Sequence, residues 1–235
     1  MAQRPKRNLN KLRILQWNLQ GIRAKQEELQ AILNNQLISI ACIQETLLED
    51  KIWNPPRNFL IEKSPHIAGE GNRGVAVLLH RSIPYARLHI NTTLEAVAVK
   101  VFQKRSYTIC CLYMSPNLIV RKEDLIDLFN QLPTPFLILG DFNAKHPLWD
   151  KSNPPDQRGK MLEKLILEKP LALYNAEAPT HFHVQTGSHS TIDLSLGSLN
   201  AISDFVWEID DSLHSSDHYP IYLTCEEYSP KHDPP

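Results

Sequence analysis

The apolar residues of this chain come in short, β-branched pieces separated by turn residues, and this spacing constrains the fold more than any other feature. Such pieces predict strands at 12–18, 38–44, 75–79, 96–101, 107–113, 136–139, 192–196, 205–209 and 219–223. None of them approaches the roughly 20 apolar residues that cross a bilayer. We therefore expect a strand-rich chain without a membrane span.

Helical spacing of apolar residues indicates helices at 25–34, 122–132 and 159–168. Three helices are too few for strict alternation of strand and helix. Runs of strands with an occasional helix suit two sheets packed face to face, with the helices outside. The predicted fold class is therefore α+β: a four-layer α/β sandwich of two packed, mostly antiparallel β-sheets flanked by helices.

Composition adds three limits to this interpretation. The 235 residues are 42% hydrophobic and 22% charged, as in ordinary globular chains, which predicts one domain at 11–227 between a basic arm at 1–10 and a polar, Pro-rich tail at 228–235. The formal net charge is −1, so any affinity for a polyanion depends on local clusters of basic residues. Four cysteines without metal-like spacing, and no secretory signal, predict an intracellular, reducing location.

Polar residues recur at the ends of the predicted strands. They form the motifs Gln16-Trp17-Asn18, Gln44-Glu45-Thr46, Gly140-Asp141-Phe142-Asn143 and Ser216-Asp217-His218, and Asp193 lies inside an apolar strand. Taken singly, each motif is explained by a turn or a cap. Clustered buried carboxylates, however, require a cation or a hydrogen-bond network to balance them. Oxygen ligands without thiolates favour Mg²⁺, with Mn²⁺ as a substitute, over Zn²⁺.

These motifs, with Tyr113-Met114-Ser115-Pro116, resemble those of the endonuclease/exonuclease/phosphatase superfamily, which includes apurinic/apyrimidinic endonucleases and pancreatic deoxyribonuclease. In detail the chain resembles the endonuclease domain of LINE-type, non-LTR retrotransposons of the jockey and I-like groups, through segments such as 143–149, 158–159 and 190–194. The resemblance implies a deoxyribonuclease-like fold, double-stranded DNA as the substrate, a reverse transcriptase domain on the same polypeptide, and a nuclear location. DNA-repair relatives have an acidic residue where this chain has Gln20, which makes a repair role less expected.

The predicted reaction is metal-dependent hydrolysis of a phosphodiester by a DNA endonuclease that nicks one strand and leaves a 3'-hydroxyl for target-primed reverse transcription. The predicted metal ligands are Glu45 first, then Asn18, which orients bound water or the phosphate, and Asp217, which supplies a second oxygen or a hydrogen bond. The other predicted catalytic residues are Tyr113, Asp141, Asn143, Asp193 and His218. Asp193 and His218 are expected to act as a pair, and the sequence leaves open whether Asp141 or His218 takes the proton from water.

Predicted DNA contacts fall in two groups. Lys145, His146 and Arg158 follow the catalytic loop, and the resemblance adds Thr180 with the hairpin after it, Thr191 and Ser216. Two alternatives remain at this stage. One is an abasic-site endonuclease or another phosphoesterase of the same superfamily, and the other is a DNA-binding module without catalysis.

Overall fold

The computed structural model describes residues 11–48, 52–65 and 73–225. The predicted basic arm and the Pro-rich tail lie outside the described residues. In the part of the chain that is described, no helix combines the length and apolar character needed to cross a membrane.

Two six-stranded sheets form the centre of the protein. The first sheet has the spatial order β13 (Val206–Ile209), β14 (Ile221–Cys225), β1 (Leu12–Asn18), β2 (Ile40–Gln44), β4 (Val75–His80) and β3 (Phe59–Lys63). The second has the order β5 (Tyr85–Leu88), β6 (Glu95–Val101), β7 (Tyr107–Tyr113), β8 (Phe136–Asp141), β12 (Asp193–Ser198) and β9 (Leu171–Leu173). The pairs β1–β2 and β7–β8 are parallel and the other pairs are antiparallel, which confirms the mostly antiparallel prediction.

The remaining elements lie outside these sheets. They are α1 (Gln26–Asn35), α2 (Lys122–Asn130), α3 (Gln157–Glu168), the 3₁₀ helix Leu199–Asp204, and a two-stranded hairpin of β10 (His181–His183) and β11 (Ser188–Ser190). All nine predicted strands and all three predicted helices are present, with ends shifted by a few residues. Strands β3, β5 and β9 and the 3₁₀ helix were not predicted.

Three apolar clusters define the four layers. The first sheet and the second bury a common core that includes Ile14, Val77, Ile109 and Leu139. The outer face of the first sheet packs on α1, and the outer face of the second packs on α2 and α3. The four-layer α/β sandwich predicted from the sequence is therefore confirmed.

Buried amide side chains join the two sheets near one end of the sandwich. Gln16 Nε2 in β1 donates to the Gly140 and Leu194 carbonyls of the second sheet, at 3.1 and 3.3 Å, and Gln16 Oε1 accepts from Ser195 Oγ at 2.8 Å. Gln44 Nε2 in β2 donates to the Leu139 carbonyl at 3.3 Å. These bonds hold the end of β1 and β2 over the end of β8 and β12, where the predicted catalytic residues lie.

Candidate active site

Four polar residues form a row across the end of the second sheet. The strand register places Glu95 opposite Tyr113, Tyr113 beside Asp141, and Asp141 opposite Asp193. All four are buried. Gly140 permits the approach of β7 and β8 here, because a Cβ at this position would lie 2.1 Å from the Leu112 carbonyl oxygen. The row brings three predicted site residues together and adds Glu95.

The first sheet contributes Asn18 and Glu45 to the same place. Asn18 Nδ2 donates to Asp141 Oδ2 at 3.0 Å and to Glu45 Oε1 at 3.2 Å, so one amide links two carboxylates. Glu45 follows β2 with φ of 50°, a left-handed conformation that costs energy for a residue with a Cβ. The Tyr113 hydroxyl hydrogen-bonds Glu45, and burial followed by the charge of Glu45 raises the pKa of Tyr113. Tyr113 is thus held as a neutral donor.

Asp141 is a carboxyl group with a strongly altered proton affinity. Burial first, and the negative charge of the facing Asp193 second, raise the pKa of Asp141 to about 7. His218, the Asn143 backbone N–H and the Asn18 amide act in the opposite direction. The Asn143 N–H donates to Asp141 Oδ1 at 2.9 Å. A pKa close to neutrality suits a group that accepts a proton during turnover.

His218 and Asp193 form the predicted pair. His218 Nδ1 lies 2.9 Å from Asp193 Oδ2 and 3.1 Å from Oδ1, and both residues are buried. Burial opposes the imidazolium form, but the charges of Asp193, Asp141 and Asp217 outweigh it and raise the pKa of His218 to about 9. The ring is therefore cationic at neutral pH, with Nε2 available to a ligand.

Asp217 lies on the other side of His218. Its Oδ2 accepts from Gln20 Nε2 at 2.8 Å, and Oδ1 lies 3.5 Å from His218 Nε2. Burial favours the neutral acid, yet His181, His218 and Gln20 outweigh it and lower the pKa of Asp217 to about 2. The Lys25 ammonium is close enough to interact with the charges of both Asp217 and Glu45. The two carboxylates therefore already attract one cationic side chain, that of Lys25.

Of the three residues predicted to hold a divalent ion, Glu45 and Asp217 carry the oxygen atoms that such an ion would need. Glu45 Oε2 and Asp217 Oδ1 are buried atoms with no hydrogen-bond partner among the residues described. Arg73 Nε lies 3.1 Å from Glu45 Oε2. This ion pair offsets the negative charge of Glu45, but its geometry is not that of a hydrogen bond. Buried carboxylate oxygens without donors are costly unless a cation binds them. Glu45 and Asp217 would hold a hard ion, and Asn18 orients Glu45.

Asn143 and Arg158 hold the loops around this site. Asn143 has φ of 46° and its Nδ2 donates to the Met114 carbonyl at 3.1 Å. The Arg158 guanidinium donates, at 2.7 to 3.4 Å, to the carbonyl groups of Met114, Ser115, Pro116, Leu118, Phe142 and Asn143. The guanidinium predicted to contact DNA is therefore engaged by two loops of its own chain, and its DNA contact stays a prediction.

Three other residues predicted to contact DNA are buried. The hydroxyl group of Thr180, which is fully buried, accepts the backbone N–H groups of Ile192 and Asp193, both at 3.1 Å. Thr191 Oγ1 donates to the Ala178 carbonyl, and Ser216 Oγ donates to the Asn18 carbonyl at 2.7 Å. The hydroxyl groups of Thr180 and Ser216 thus hold the backbone of Asp193 and Asn18, and all three DNA contacts stay predictions. Lys145 and His146 are partly exposed on the loop after β8, so their predicted DNA contacts stay predictions.

Glu95, Arg73 and His181 are not among the predicted site residues. The pattern His181-x-His183 with His189 could suggest a metal site, but the sequence favours an exposed, DNA-facing or solvated hairpin there. Glu95 accepts the Arg73 and Gly74 backbone N–H groups and so fixes the segment that carries Arg73. Its signal was present, because Glu95 starts an apolar strand as Asp193 does. His181 Nε2 lies 3.7 Å from Asp217 Oδ2, and this proximity has no sequence signal because the hairpin only meets residues 217–219 in the folded chain.

Residues 107–222 match the family model described as endonuclease-reverse transcriptase. Two relatives come from Drosophila melanogaster. The probable RNA-directed DNA polymerase from transposon X-element is 26% identical, and the match covers 92% of this chain and 24% of that protein. The RNA-directed DNA polymerase from mobile element jockey is 27% identical, and the match covers 73% of this chain and 19% of that protein. The chain spans about a quarter of the length of the curated relatives it matches.

Solved structures agree in fold. The endonuclease domain of TRAS1, a telomere-specific non-LTR retrotransposon, has a TM-score of 0.79 and 23% identity, with 92% of this chain and 99% of that chain covered. The AP endonuclease LMAP from Leishmania major has a TM-score of 0.76 and 10% identity, with 93% and 88% covered. The resemblance read from the sequence to LINE-type, non-LTR retrotransposons is confirmed: the chain is similar in sequence to an endonuclease-reverse transcriptase family and to transposon RNA-directed DNA polymerases, and similar in fold to the TRAS1 endonuclease domain.

Proposed function

We propose that this chain is a metal-dependent DNA endonuclease that nicks one strand of duplex DNA. The observation that carries the proposal is the Asn18 amide, which joins Glu45 of the first sheet to Asp141 of the second beside the Asp193–His218 pair. Asp141, with a pKa near neutrality, can accept a proton, and the cationic His218 can donate one. Glu45 and Asp217 add two carboxylate oxygens that accept no hydrogen bond among the described residues. All of these groups lie near the same end of the sandwich. These are the groups that hydrolysis of a phosphodiester requires.

In the proposed reaction, Asp141 removes a proton from water as the water oxygen attacks phosphorus. His218 Nε2 donates to a phosphate oxygen and stabilises the negative charge that develops there. The bond from phosphorus to the 3'-oxygen breaks, the 3'-oxygen takes a proton from solvent water, and the products are a 3'-hydroxyl and a 5'-phosphate. Glu45 and Asp217 would hold a divalent ion, which would supply further neutralisation of negative charge. Tyr113 adds a neutral donor.

The wider role follows from the relatives. Those in Drosophila are named RNA-directed DNA polymerases, and the chain aligns with about a quarter of their length. We infer that a reverse transcriptase domain on the same polypeptide extends the 3'-hydroxyl that the nick creates. Because the target would be chromosomal DNA, the proposed site of action is the nucleus.

The test is a nicking assay on supercoiled plasmid with Mg²⁺, with Mn²⁺ and with EDTA. We expect open-circular product only with a divalent ion, and a loss of roughly a thousandfold in Glu45→Gln and Asp141→Asn, about 4 kcal/mol of transition-state stabilisation. Glu123→Gln, an exposed carboxylate on α2, is the control and should retain wild-type activity. Equal nicking in EDTA, or by either site variant, would contradict the proposal.

Parallel assays on an abasic duplex and a small phosphomonoester separate the alternatives. Cleavage of the abasic duplex far faster than intact DNA would favour a repair-type nuclease. DNA binding without turnover on any of these substrates would favour a non-catalytic module.

A further inference from the structure

A second group of possible metal ligands lies beside the proposed nuclease centre. His181 Nε2, an Asp217 oxygen and His218 Nε2 lie within 4.8 Å of one another. His181 Nε2 is 3.7 Å from Asp217 Oδ2, His218 Nε2 is 3.5 Å from Asp217 Oδ1, and the two imidazole centroids are 4.6 Å apart. A backbone bridge between His181 and His218 fixes this arrangement, so it does not depend on side-chain rotation alone.

Each imidazole is oriented by a partner on its other nitrogen. His218 Nδ1 is held by Asp193 at 2.9 Å, and His181 Nδ1 lies 3.2 Å from Ser190 Oγ. In metal sites a histidine ligand usually donates its remaining N–H to such a partner, which sets the tautomer and the ring direction. Both rings therefore have the orientation that leaves Nε2 for a metal ion.

The distances suit an ion better than they suit hydrogen bonds. Separations of 3.5 and 3.7 Å are too long for strong N–H···O bonds, and Asp217 Oδ1 is buried without a hydrogen-bond partner in the described part of the chain. With metal-to-ligand distances near 2.0–2.1 Å, two ligands at a tetrahedral angle lie about 3.4 Å apart. Small side-chain movements would bring all three atoms to that spacing.

We propose that His181, Asp217 and His218 form a site for a borderline transition-metal ion, Zn²⁺ in the first instance. Two imidazoles and one carboxylate are a typical Zn²⁺ ligand set, whereas Mg²⁺ prefers oxygen ligands alone. Binding displaces the Nε2 proton of His218, as any imidazole ligand requires. The fourth position stays open to water or a phosphate oxygen.

This site has a consequence for nicking that rests on the proposed function. An ion on His218 Nε2 removes the donor that the proposed reaction uses. Zn²⁺ is therefore expected to inhibit nicking in the presence of excess Mg²⁺, by occupying the His218 imidazole and also Asp217, which the proposed Mg²⁺ site shares.

Direct binding is the primary test, and it needs no activity. Zn²⁺ is titrated calorimetrically into the protein in excess Mg²⁺, and Co²⁺ is added separately to record its visible absorption. We expect one Zn²⁺ per chain and an intense four-coordinate Co²⁺ spectrum. His181→Phe, which keeps a ring against His218, should weaken Zn²⁺ binding at least tenfold and lose that spectrum.

His189→Gln is the matched control, because His189 belongs to the same hairpin but is not one of the three proposed ligands. In the hairpin His189 lies opposite Phe182, whereas His181 lies opposite Ser190. It should bind Zn²⁺ like the wild type. If His181→Phe fails to fold, as judged by circular dichroism, His181→Gln replaces it with the same expectation. Equal Zn²⁺ affinity in the wild type and in a folded His181 variant would overturn the site.

The nicking assay then separates this inference from the proposed function. Zn²⁺ binding that requires His181, in a protein that does not nick DNA, would support the metal site and refute the nuclease. Mg²⁺-dependent nicking without Zn²⁺ binding would support the nuclease and refute the metal site. With both present, Zn²⁺ should inhibit the wild type at lower concentration than it inhibits His181→Phe, each measured against its own Zn²⁺-free rate.

Discussion

Asp141 and Asp193 occupy opposed positions on β8 and β12, so two buried carboxyl groups face each other at one end of these strands. Two adjacent buried anions are unfavourable unless a proton or a cation balances them. His218 supplies that balance from the segment before β14, through its bond to Asp193. The residue that the proposed reaction uses as a donor also stabilises the folded site.

The pH dependence of stability tests this balance. The folded pKa of His218, about 9, lies above the ordinary value of 6.5. Its stabilisation is therefore complete below about pH 6.5 and is lost as the pH rises through 9. We expect the difference in unfolding free energy between the wild type and His218→Gln, measured in urea with EDTA, to shrink by about 3 kcal/mol between pH 6 and pH 10.

His189→Gln, which replaces an exposed histidine, is the control and should track the wild type at both pH values. A stability difference for His218→Gln that is the same at pH 6 and pH 10 would show that His218 carries no charge that stabilises the fold.

Most residues of the site could be predicted because they lie within an apolar strand, at its end or in the segment beside it. Their partners could not. Thr180 and Ser216 were predicted to meet DNA, yet their hydroxyl groups bond the backbone of residues 192–193 and of Asn18. A hydroxyl group beside a catalytic motif has the same local sequence whether it faces a ligand or the protein, and only the packing of distant segments decides between them.

At the scale of elements, the strands that were missed share a position. β3, β5 and β9 are all edge strands of their sheets. Edge strands are short and only partly covered, so their apolar pattern is weak, as in Tyr85–Leu88, where no residue is buried. Central strands such as Tyr107–Tyr113 are buried along their whole length and were predicted to the residue.

Helix α3 carries Arg158 to the two loops that surround the site, and this contact gives a prediction. Arg158→Lys loses the planar fork that serves six carbonyl groups, so we expect a loss of about 2 kcal/mol of stability and at least a tenfold fall in nicking rate. Affinity for DNA, measured by anisotropy at constant salt, should change little.

Lys145→Ala is expected to change DNA binding without changing stability, the opposite of Arg158→Lys. Lys145 is partly exposed near the same loop, so its loss should leave the melting temperature unchanged, weaken DNA binding and lower the log-log salt slope by about 0.9. If Arg158→Lys instead lowers the salt slope without a loss of stability, Arg158 contacts phosphate as the sequence first suggested.

The hairpin of β10 and β11 gives a prediction about DNA recognition. Its turn carries Val184, 67% exposed, and Gly187 with φ of 70°, while its base carries the buried Ser190. Replacing residues 184–187 by another four-residue turn should move the preferred nicking positions on a long duplex with little loss of rate, because the proposed catalytic residues lie outside this turn.

The loop at 103–106 is the control, since it joins β6 and β7 at the end of the sheet opposite Glu95 and Tyr113. Its replacement should leave the nicking positions as they are. An unchanged pattern in the hairpin variant would remove the hairpin turn from target recognition.

At the scale of the whole molecule, the site exists only if the two sheets keep their alignment. Asn18 comes from one sheet and Asp141 from the other, and their 3.0 Å bond tolerates little sliding. Apolar contacts between sheets resist separation but specify lateral position weakly, whereas buried hydrogen bonds specify it closely. Gln16 makes three such bonds two residues before Asn18.

Gln16→Leu therefore tests whether alignment, rather than stability alone, sustains the reaction. The variant leaves buried carbonyl groups without their donor, which should cost about 2 kcal/mol of unfolding free energy. Val99→Ala, in the same apolar interface but remote from the site, should cost a similar amount through the cavity it creates. We expect nicking to fall at least tenfold in Gln16→Leu and to stay near wild type in Val99→Ala, measured well below both melting temperatures. Equal nicking by the two variants would mean that the sheets align without the amide, and that the apolar interface alone places Asn18 against Asp141.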